Sequence, residues 1–189
     1  MKSKVLLFTL LLSVLRFSSE TSFGEESVEN LPGYVDFGSM EEFQDSEESV
    51  EVTIKDPLLS IITKATKRDN PELFGLLSGL KLIQVHTFSL KKSQRTLIKE
   101  KADKITRKLQ KRGWERIVKA KELKEKDEIY IKTTGEKIAG LVVLSIQYGN
   151  EAAFVNIVGN INLDSLGKLS SQFHIPGLDS LDLKTGDEK

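Results

Sequence analysis

A nearly unbroken apolar run, IAGLVVLSI from Ile138 to Ile146, most limits the folds that this chain can adopt. Its length and its β-branched residues predict a central strand that is buried on both faces. Short turns flank the run, with Gly135 in a predicted hairpin before it and Tyr148 to Glu151 after it. Because strands joined by short turns pair as neighbours, the sequence predicts an antiparallel or mixed sheet and argues against a parallel α/β fold.

The segments around this run alternate between strand and helix patterns. Apolar residues at helical spacing predict helices after Asp56-Pro57, after Asn70-Pro71 and over Ser93 to Arg112. The stripes expected to face the core are Leu58, Ile61, Ile62 and Ala65 in the first helix, and Ile98, Ala102, Ile105 and Leu109 in the third. The other predicted strands are Val50 to Ile54, Lys81 to Leu90, Trp114 to Lys121, Glu128 to Lys132 and Ala152 to Ile161.

The order of these elements determines the fold class. It is strand, helix, helix, strand, helix, four strands and a final helix that carries Leu163, Leu166, Leu169 and Phe173. The prediction is therefore an α+β fold, an antiparallel or mixed sheet of about six strands with helices packed mainly on one face.

The N-terminus has the layout of a secretory signal peptide. A positively charged start and an apolar run from Val5 to Leu15 are followed by small or polar residues up to Gly24. The run is shorter than the roughly 20 residues that cross a bilayer, so cleavage before Glu25 is predicted, with an uncleaved anchor or a buried helix as the alternative. The chain has no cysteine, which excludes disulfides, thiol catalysis and a lipid-anchor cysteine. We expect an exported protein, periplasmic or secreted.

An acidic segment follows the signal peptide. Glu25 to Glu51 holds ten acidic residues and no lysine or arginine, a composition that favours a solvated spacer. Its apolar side chains offer the alternative of docking on the domain or on a partner; they are Leu31, Tyr34, Val35, Phe37 and Phe43. The predicted organisation is a signal peptide over 1–24, an acidic spacer over 25–48, one α+β domain over 49–177 and a polar tail over 178–189.

Motifs for catalysis, metal binding or cofactor binding are not evident in the sequence. The only histidines are His86 and His174, whereas zinc sites normally draw on several histidines or cysteines. His86 shares a predicted strand face with Phe88, which favours a packed side chain. Neither a G-x-S-x-G elbow nor a glycine-rich phosphate loop occurs, and paired carboxylates such as Glu47 and Glu48 lie in the acidic segment. We therefore predict no enzyme activity, no catalytic residue, no metal and no cofactor.

The pronounced surface feature is positive charge. Lys91 to Lys126 holds fifteen lysines or arginines against five acidic residues, although the whole chain has no net charge. The candidate contacts to an anionic surface lie on or beside the polar face of the third helix; they are Arg95, Lys99, Lys101, Lys104, Arg107, Lys108, Lys111 and Arg112. A solvated helix face, attraction to anionic lipid headgroups and nucleic-acid binding are the competing interpretations. Export and the lack of interleaved aromatic residues argue against nucleic acid.

The opposite charges of the acidic segment and the basic helix suggest one further hypothesis. The acidic segment would fold back over the helix, and deleting residues 25–48 would then strengthen salt-sensitive binding to anionic surfaces.

Four segments carry a resemblance to a known family. They are LPGYVDFG from Leu31, GLLSGLKLIQV from Gly75, GWERIVKAKE from Gly113 and FVNIVGNINLDSLGKLSSQFHIPGLD from Phe154. Through them the chain resembles domain-of-unknown-function family 4252, exported bacterial proteins of which many are lipoproteins. The resemblance covers essentially the whole mature chain and implies a place in the cell envelope and a link to envelope signalling. It implies no activity and no catalytic residue, and the missing lipidation cysteine departs from many relatives.

The last of these segments also has a physical interpretation. Gly159 within VNIVGNI indicates a β-bulge or a close approach of two backbones. Asn156 and Asn160 are expected to satisfy backbone groups, with ligand binding as the alternative. Trp114 and Arg116, at a strand start, are expected to anchor the sheet to a helix.

The expected function is that of a non-enzymatic interaction module in the bacterial envelope. Its partner would be another envelope protein or the anionic membrane surface, and nucleic acid is not expected. The alternative is a periplasmic domain that binds a small ligand or an anionic lipid in a groove between helices and sheet. An exposed apolar patch would favour the first function, and an enclosed apolar pocket the second.

Overall fold

The computed structural model of the chain describes residues 27–43 and 46–162. The predicted signal peptide (1–24), the final helix (163–173) and the polar tail (178–189) lie outside the described residues.

Six strands form one antiparallel sheet in the order β1-β2-β6-β5-β4-β3. The strands are β1 (Ser49–Lys55), β2 (Leu80–Ser89), β3 (Glu115–Lys121), β4 (Glu125–Thr134), β5 (Lys137–Gln147) and β6 (Glu151–Ile161). The last four strands are joined by short turns, and β5 lies inside the sheet as its apolar sequence requires. The predicted antiparallel α+β architecture is thereby confirmed.

Three α-helices accompany the sheet in the described residues: α1 (Leu58–Asp69), α2 (Pro71–Leu77) and α3 (Arg95–Lys111). The Asn70-Pro71 start of α2 is confirmed, because the Asn70 side chain accepts a hydrogen bond from the Leu73 N–H at 2.9 Å. The predicted stripe of α3 is also confirmed, since Ile98, Ala102, Ile105 and Leu109 are all buried.

The predicted stripe of α1 is wrong by about one position. Leu58 and Ile61 are 49% and 61% exposed, whereas Leu59 and Thr63 are buried. Thr63 tolerates burial because its hydroxyl donates to the Leu59 carbonyl oxygen at 2.7 Å, which leaves no polar group unpaired.

Apolar side chains cover both faces of the sheet. On one face, Leu144 and Phe154 pack with α3 and with residues 27–43. On the opposite face, Val143 and Val155 belong to a second core that includes side chains of α1 and α2. The helices are therefore divided between the two faces rather than gathered mainly on one. The apolar character of β5 on both sides explains this division, because each face must be removed from water.

Residues 27–43, called here the strap, lie across the face that carries α3. Val35, Phe37 and Phe43 are almost fully buried, and the Phe43 ring stacks on Phe88 at a centroid distance of 4.5 Å. The favoured expectation of a solvated segment is therefore wrong for this part of the chain. Asp36 between Val35 and Phe37 is exposed, so an extended backbone places the apolar side chains inward and the charge outward.

The strap is held at one point by the buried side chain of Asn156 on β6. Its Oδ1 accepts the Val35 N–H at 2.9 Å, and its Nδ2 donates to the Gly33 carbonyl oxygen at 3.0 Å and to the Leu141 carbonyl oxygen at 3.2 Å. Asn156 therefore satisfies backbone groups, as the sequence indicates. The groups belong to the strap and to β5. The backbones of Gly33 and Gly140 meet at the same place, because a Cβ on either glycine would lie under 3 Å from the other.

The close approach predicted at Gly159 is confirmed. Its φ is 139°, and a Cβ there would lie 2.3 Å from the Gly79 carbonyl oxygen, next to a register shift between β2 and β6.

Candidate cationic surface

Helix α3 divides its basic side chains among three surroundings. The side that faces the strap holds Lys101, Lys108 and Arg112; the side that faces the β3–β4 hairpin holds Arg95 and Lys99; and the side that faces solvent holds Lys104, Arg107 and Lys111. The eight candidate residues therefore do not form one continuous contact surface. Only the outward and hairpin-facing groups remain available to a partner.

The strap-facing cations are engaged by backbone carbonyl oxygens. Lys101 donates to Ser39, Lys108 donates to Asp36 at 2.7 Å, and Arg112 donates to Tyr34 at 3.3 Å. The hypothesis that the acidic segment folds over the basic helix is thus correct in outline for the strap, but carbonyl dipoles supply most of the contacts.

A single ion pair joins the strap to α3 among the described residues, between Lys108 Nζ and Asp36 Oδ2 at 3.5 Å. The Gly38 N–H and then Lys108 hold the pKa of Asp36 below its ordinary value, against some desolvation. Deleting residues 25–48 would also remove three buried core side chains. That deletion therefore tests stability rather than binding.

The β3–β4 hairpin carries a second group of cations next to the start of α3. Lys119 and Lys121 pair with Glu128 and Lys126 across the ladder, and Lys126 and Glu128 both contact α3, so all four side chains lie on the face of the sheet that carries α3. Leu123, in the turn of the hairpin, is 92% exposed.

Arg95 connects the hairpin to the end of β5. Its Nη2 donates to the Leu123 carbonyl oxygen at 3.3 Å, and its guanidinium carbon lies 4.8 Å from the centre of the Tyr148 ring. An open groove of about 640 Å³ lies here and is lined by Arg95, Lys99, Lys121, Glu122, Leu123 and Tyr148. It offers positive charge and apolar surface side by side.

Beneath these surface cations, the buried carboxylate of Glu128 is the centre of an ionic cluster whose outer members, Arg116 and Asp103, reach the surface. Its two carboxylate oxygens accept from Arg116 at 3.1 Å and from the Thr106 hydroxyl at 2.9 Å, and Lys126 Nζ lies 3.2 Å away. Lys126 also contacts Asp103 at 3.3 Å. Burial opposes the charge on Lys126, but Glu128 and Asp103 raise its pKa above the ordinary value. These groups satisfy one another, and the contacts of Glu128 with Thr106 and of Lys126 with Asp103 fix the hairpin to α3. Arg116 bonds to Glu128 of the neighbouring strand, so the expected anchoring of the sheet to a helix comes from Lys126 and Glu128 instead.

The histidine on β2 is packed, as the sequence indicates. His86 lies edge-on to Phe37 of the strap at 5.9 Å between ring centroids, and its Nδ1 is 3.9 Å from Glu51 Oε1. His174 lies outside the described residues. Within residues 27–43 and 46–162, no three histidine, aspartate or glutamate side chains gather in a way that could hold a metal ion.

Acidification is expected to destabilise the protein through His86. Burial, only partly offset by Glu51, holds the pKa of His86 below its ordinary value. Because the folded pKa is lower than the unfolded pKa near 6.5, this stability is complete above about pH 6.5 and is lost as the pH falls toward the folded value. The free energy of unfolding should therefore fall less between about pH 7.5 and about pH 5 in His86→Gln than in the unmodified protein. Equal pH dependence in the two proteins would contradict this account.

The sequence predicts both strands of the hairpin, but it identifies neither Leu123 in the turn as a surface feature nor the ionic cluster. An isolated apolar residue, Leu123, between charged neighbours in a turn was the available signal for the first. The second had no signal, because the pairing of Glu128 with Thr106 depends on the approach of α3 to β4.

Comparison with known proteins places the chain in a family. The family model described as "Domain of unknown function (DUF4252)" matches residues 43–169, whereas searches of curated proteins and of solved structures found no significant match. No helix within the described residues has both the length and the apolar character needed to cross a membrane. The match covers more than half of the sequence and includes all six strands and α1 to α3, so the chain belongs to the DUF4252 family.

Proposed function

We propose that this chain is a non-enzymatic interaction module of the bacterial cell envelope, and that its outward cationic surface binds an anionic partner. The cationic surface comprises Lys99, Lys104, Arg107 and Lys111 of α3 with Lys119, Lys121 and Lys124 of the hairpin. The observation that carries the proposal is that all seven side chains are exposed, while the strap engages Lys101, Lys108 and Arg112, and the hairpin turn accepts one hydrogen bond from Arg95.

Two features support a binding role over catalysis. The buried titratable groups that converge near α3, Glu128 and Lys126, are paired with Arg116, Asp103 and each other. The exposed cations instead outnumber the exposed carboxylates near them, Glu100 on α3 and Glu122 on the hairpin, which raises the local potential and attracts anions. The place in the envelope and the link to signalling rest on the signal-peptide pattern and on the family resemblance.

Charge reversal on the outward side of α3 is expected to weaken binding to polyanions. In Arg107→Glu/Lys111→Glu, elution from immobilised heparin should move to clearly lower salt, because each cation near an anionic surface contributes about 1 kcal/mol. A matched control is Lys64→Glu/Arg68→Glu on α1, which reverses one lysine and one arginine at the same spacing. Both pairs end in the last turn of their helix, so they alter the helix dipole alike.

The two double variants separate specific from general charge effects. The control should elute close to the unmodified protein, although its net charge equals that of the α3 variant. Elution of both variants at the same salt would contradict the proposal. Inside cells, a photo-cross-linking residue at position 104 should capture a partner that the same residue at position 64 does not.

A further inference from the structure

We infer that the groove between the start of α3 and the β3–β4 hairpin receives the headgroup of an anionic phospholipid, with Leu123 entering the acyl region of the membrane. The inference rests on the proposed function and names the partner chemistry of one part of the same cationic surface. The groove is lined by three cations, Arg95, Lys99 and Lys121, by one carboxylate, Glu122, and by the apolar surfaces of Leu123 and Tyr148.

The position of Leu123 is the first argument. At 92% exposure, this leucine is the most exposed large apolar side chain of the described residues, and it lies at the tip of a hairpin between Glu122 and Lys124. Helix α3 fixes the backbone of the turn, because the Leu123 carbonyl oxygen accepts a hydrogen bond from Arg95. The side chain therefore projects from an anchored backbone, and contact with acyl chains would remove its whole apolar surface from water.

Charge around the hairpin tip is the second argument. Lys119, Lys121 and Lys124 are all exposed, and Lys121 lies with Arg95 and Lys99 on the groove. Arg95 donates only one hydrogen bond among the described contacts and stacks on Tyr148, which leaves further N–H groups for phosphate oxygens. If Leu123 enters the acyl region, the hairpin tip lies at the level of the phosphodiesters. The negative charge of the phosphodiesters would then complement the lysines and Arg95.

The fixed relation between the groove and the tip is the third argument. Lys126 joins Asp103 of α3 to Glu128 of β4, and Thr106 of α3 donates to the same Glu128 carboxylate. These partly buried contacts hold the hairpin against the helix. The cations of the groove and Leu123 would therefore reach a membrane surface at the same time. A soluble anion would use the cations and leave Leu123 in water, whereas a phospholipid uses both.

Binding to vesicles tests the inference. The exported form of the protein is mixed with vesicles of phosphatidylglycerol and phosphatidylcholine, or of phosphatidylcholine alone. Leu123→Asn should weaken partitioning to the anionic vesicles about tenfold, as expected for loss of a buried leucine. The matched control, Ile61→Asn, removes an exposed aliphatic side chain from α1 on the opposite face and should change partitioning by less than about twofold.

A fluorescent variant shows where the tip lies. In Leu123→Trp, emission should shift to the blue on anionic vesicles and be quenched by brominated acyl chains. An unchanged affinity of Leu123→Asn together with no quenching would overturn the inference. Full displacement of the protein from vesicles by soluble glycerol phosphate, together with the same vesicle affinity in Leu123→Asn, would also overturn it, because the site would then serve a free phosphate.

Failure of this inference is distinguishable from failure of the proposed function. If the Arg107→Glu/Lys111→Glu variant loses heparin binding while Leu123→Asn binds vesicles normally, the proposed cationic surface is supported and its assignment to a phospholipid is wrong. If the double variant keeps full heparin binding, the assignment of the outward side of α3 to anion binding is wrong, and the vesicle results on Leu123 decide the lipid inference separately.

Discussion

Replacing Gly33 by alanine is expected to lower the free energy of unfolding by at least about 3 kcal/mol. A Cβ at Gly33 would lie 1.9 Å from the Ala139 carbonyl oxygen and 2.7 Å from Gly140 Cα. Both obstacles are backbone atoms of β5, inside the sheet, and no side-chain rotation relieves such a contact. The strap must therefore shift away from β5 or leave the sheet.

Displacing the strap would expose the apolar side chains that it buries. Val35, Phe37 and Phe43 each contribute on the order of 1.5–3 kcal/mol when removed from water, which sets the scale of the loss. Urea unfolding followed by circular dichroism measures the change.

Gly75→Ala is the matched control for Gly33→Ala. Gly75 lies in α2, and a Cβ there would meet nothing within 4 Å. Alanine is the better helix former, so this variant should gain about 0.5–1 kcal/mol. Opposite signs for the same chemical change would show that the loss at Gly33 comes from its contact with β5. A Gly33→Ala protein as stable as the parent would contradict the close contact.

Replacing Asn156 by alanine is expected to cost about 3 kcal/mol, through a different mechanism. The side chain is fully buried and makes three hydrogen bonds to backbone groups of the strap and β5. Without it, the Val35 N–H and the Gly33 carbonyl oxygen lose these partners away from water, and a cavity remains.

Asn160→Ala provides the control in the same strand, because Asn160 is exposed, and its stability should change by less than about 0.5 kcal/mol. The Gly33→Ala/Asn156→Ala double variant should lose much less than the sum of the two single losses, since both act by releasing the strap. Full additivity would show that Asn156 and Gly33 stabilise the fold independently.

Local patterns determined most of the sheet and α3. Three patterns were sufficient: the apolar run of β5, the turn glycines and the 3.6-residue stripe of α3. Each of them depends only on residues that are close in sequence. The start of β4 shows where such patterns fail. Glu125 to Asp127 are strand residues that charge alone would assign to a loop, and the strand tolerates Lys126 because Glu128 and Asp103 neutralise it.

The strap could not be predicted from composition. Its acidic residues dominate any average over the segment, whereas docking depends on the alternation of Val35, Asp36 and Phe37 and on Asn156 far along the chain. The eight candidate cations illustrate the same limit. Helical spacing places all of them near the polar side of α3, but only the packed strap and hairpin show which of them remain exposed.

The attachment of the strap to Asn156 has a consequence for the order of events during synthesis. A polypeptide leaves the ribosome from its N-terminus, and 123 positions separate Gly33 from the asparagine that binds its carbonyl oxygen. The strap is the earliest of these segments to emerge, and it cannot dock until β6, one of the latest, has emerged. The hairpins between them can pair first because their contacts are local. The strap therefore cannot dock until most of the domain has appeared, and its apolar side chains stay exposed to water until then.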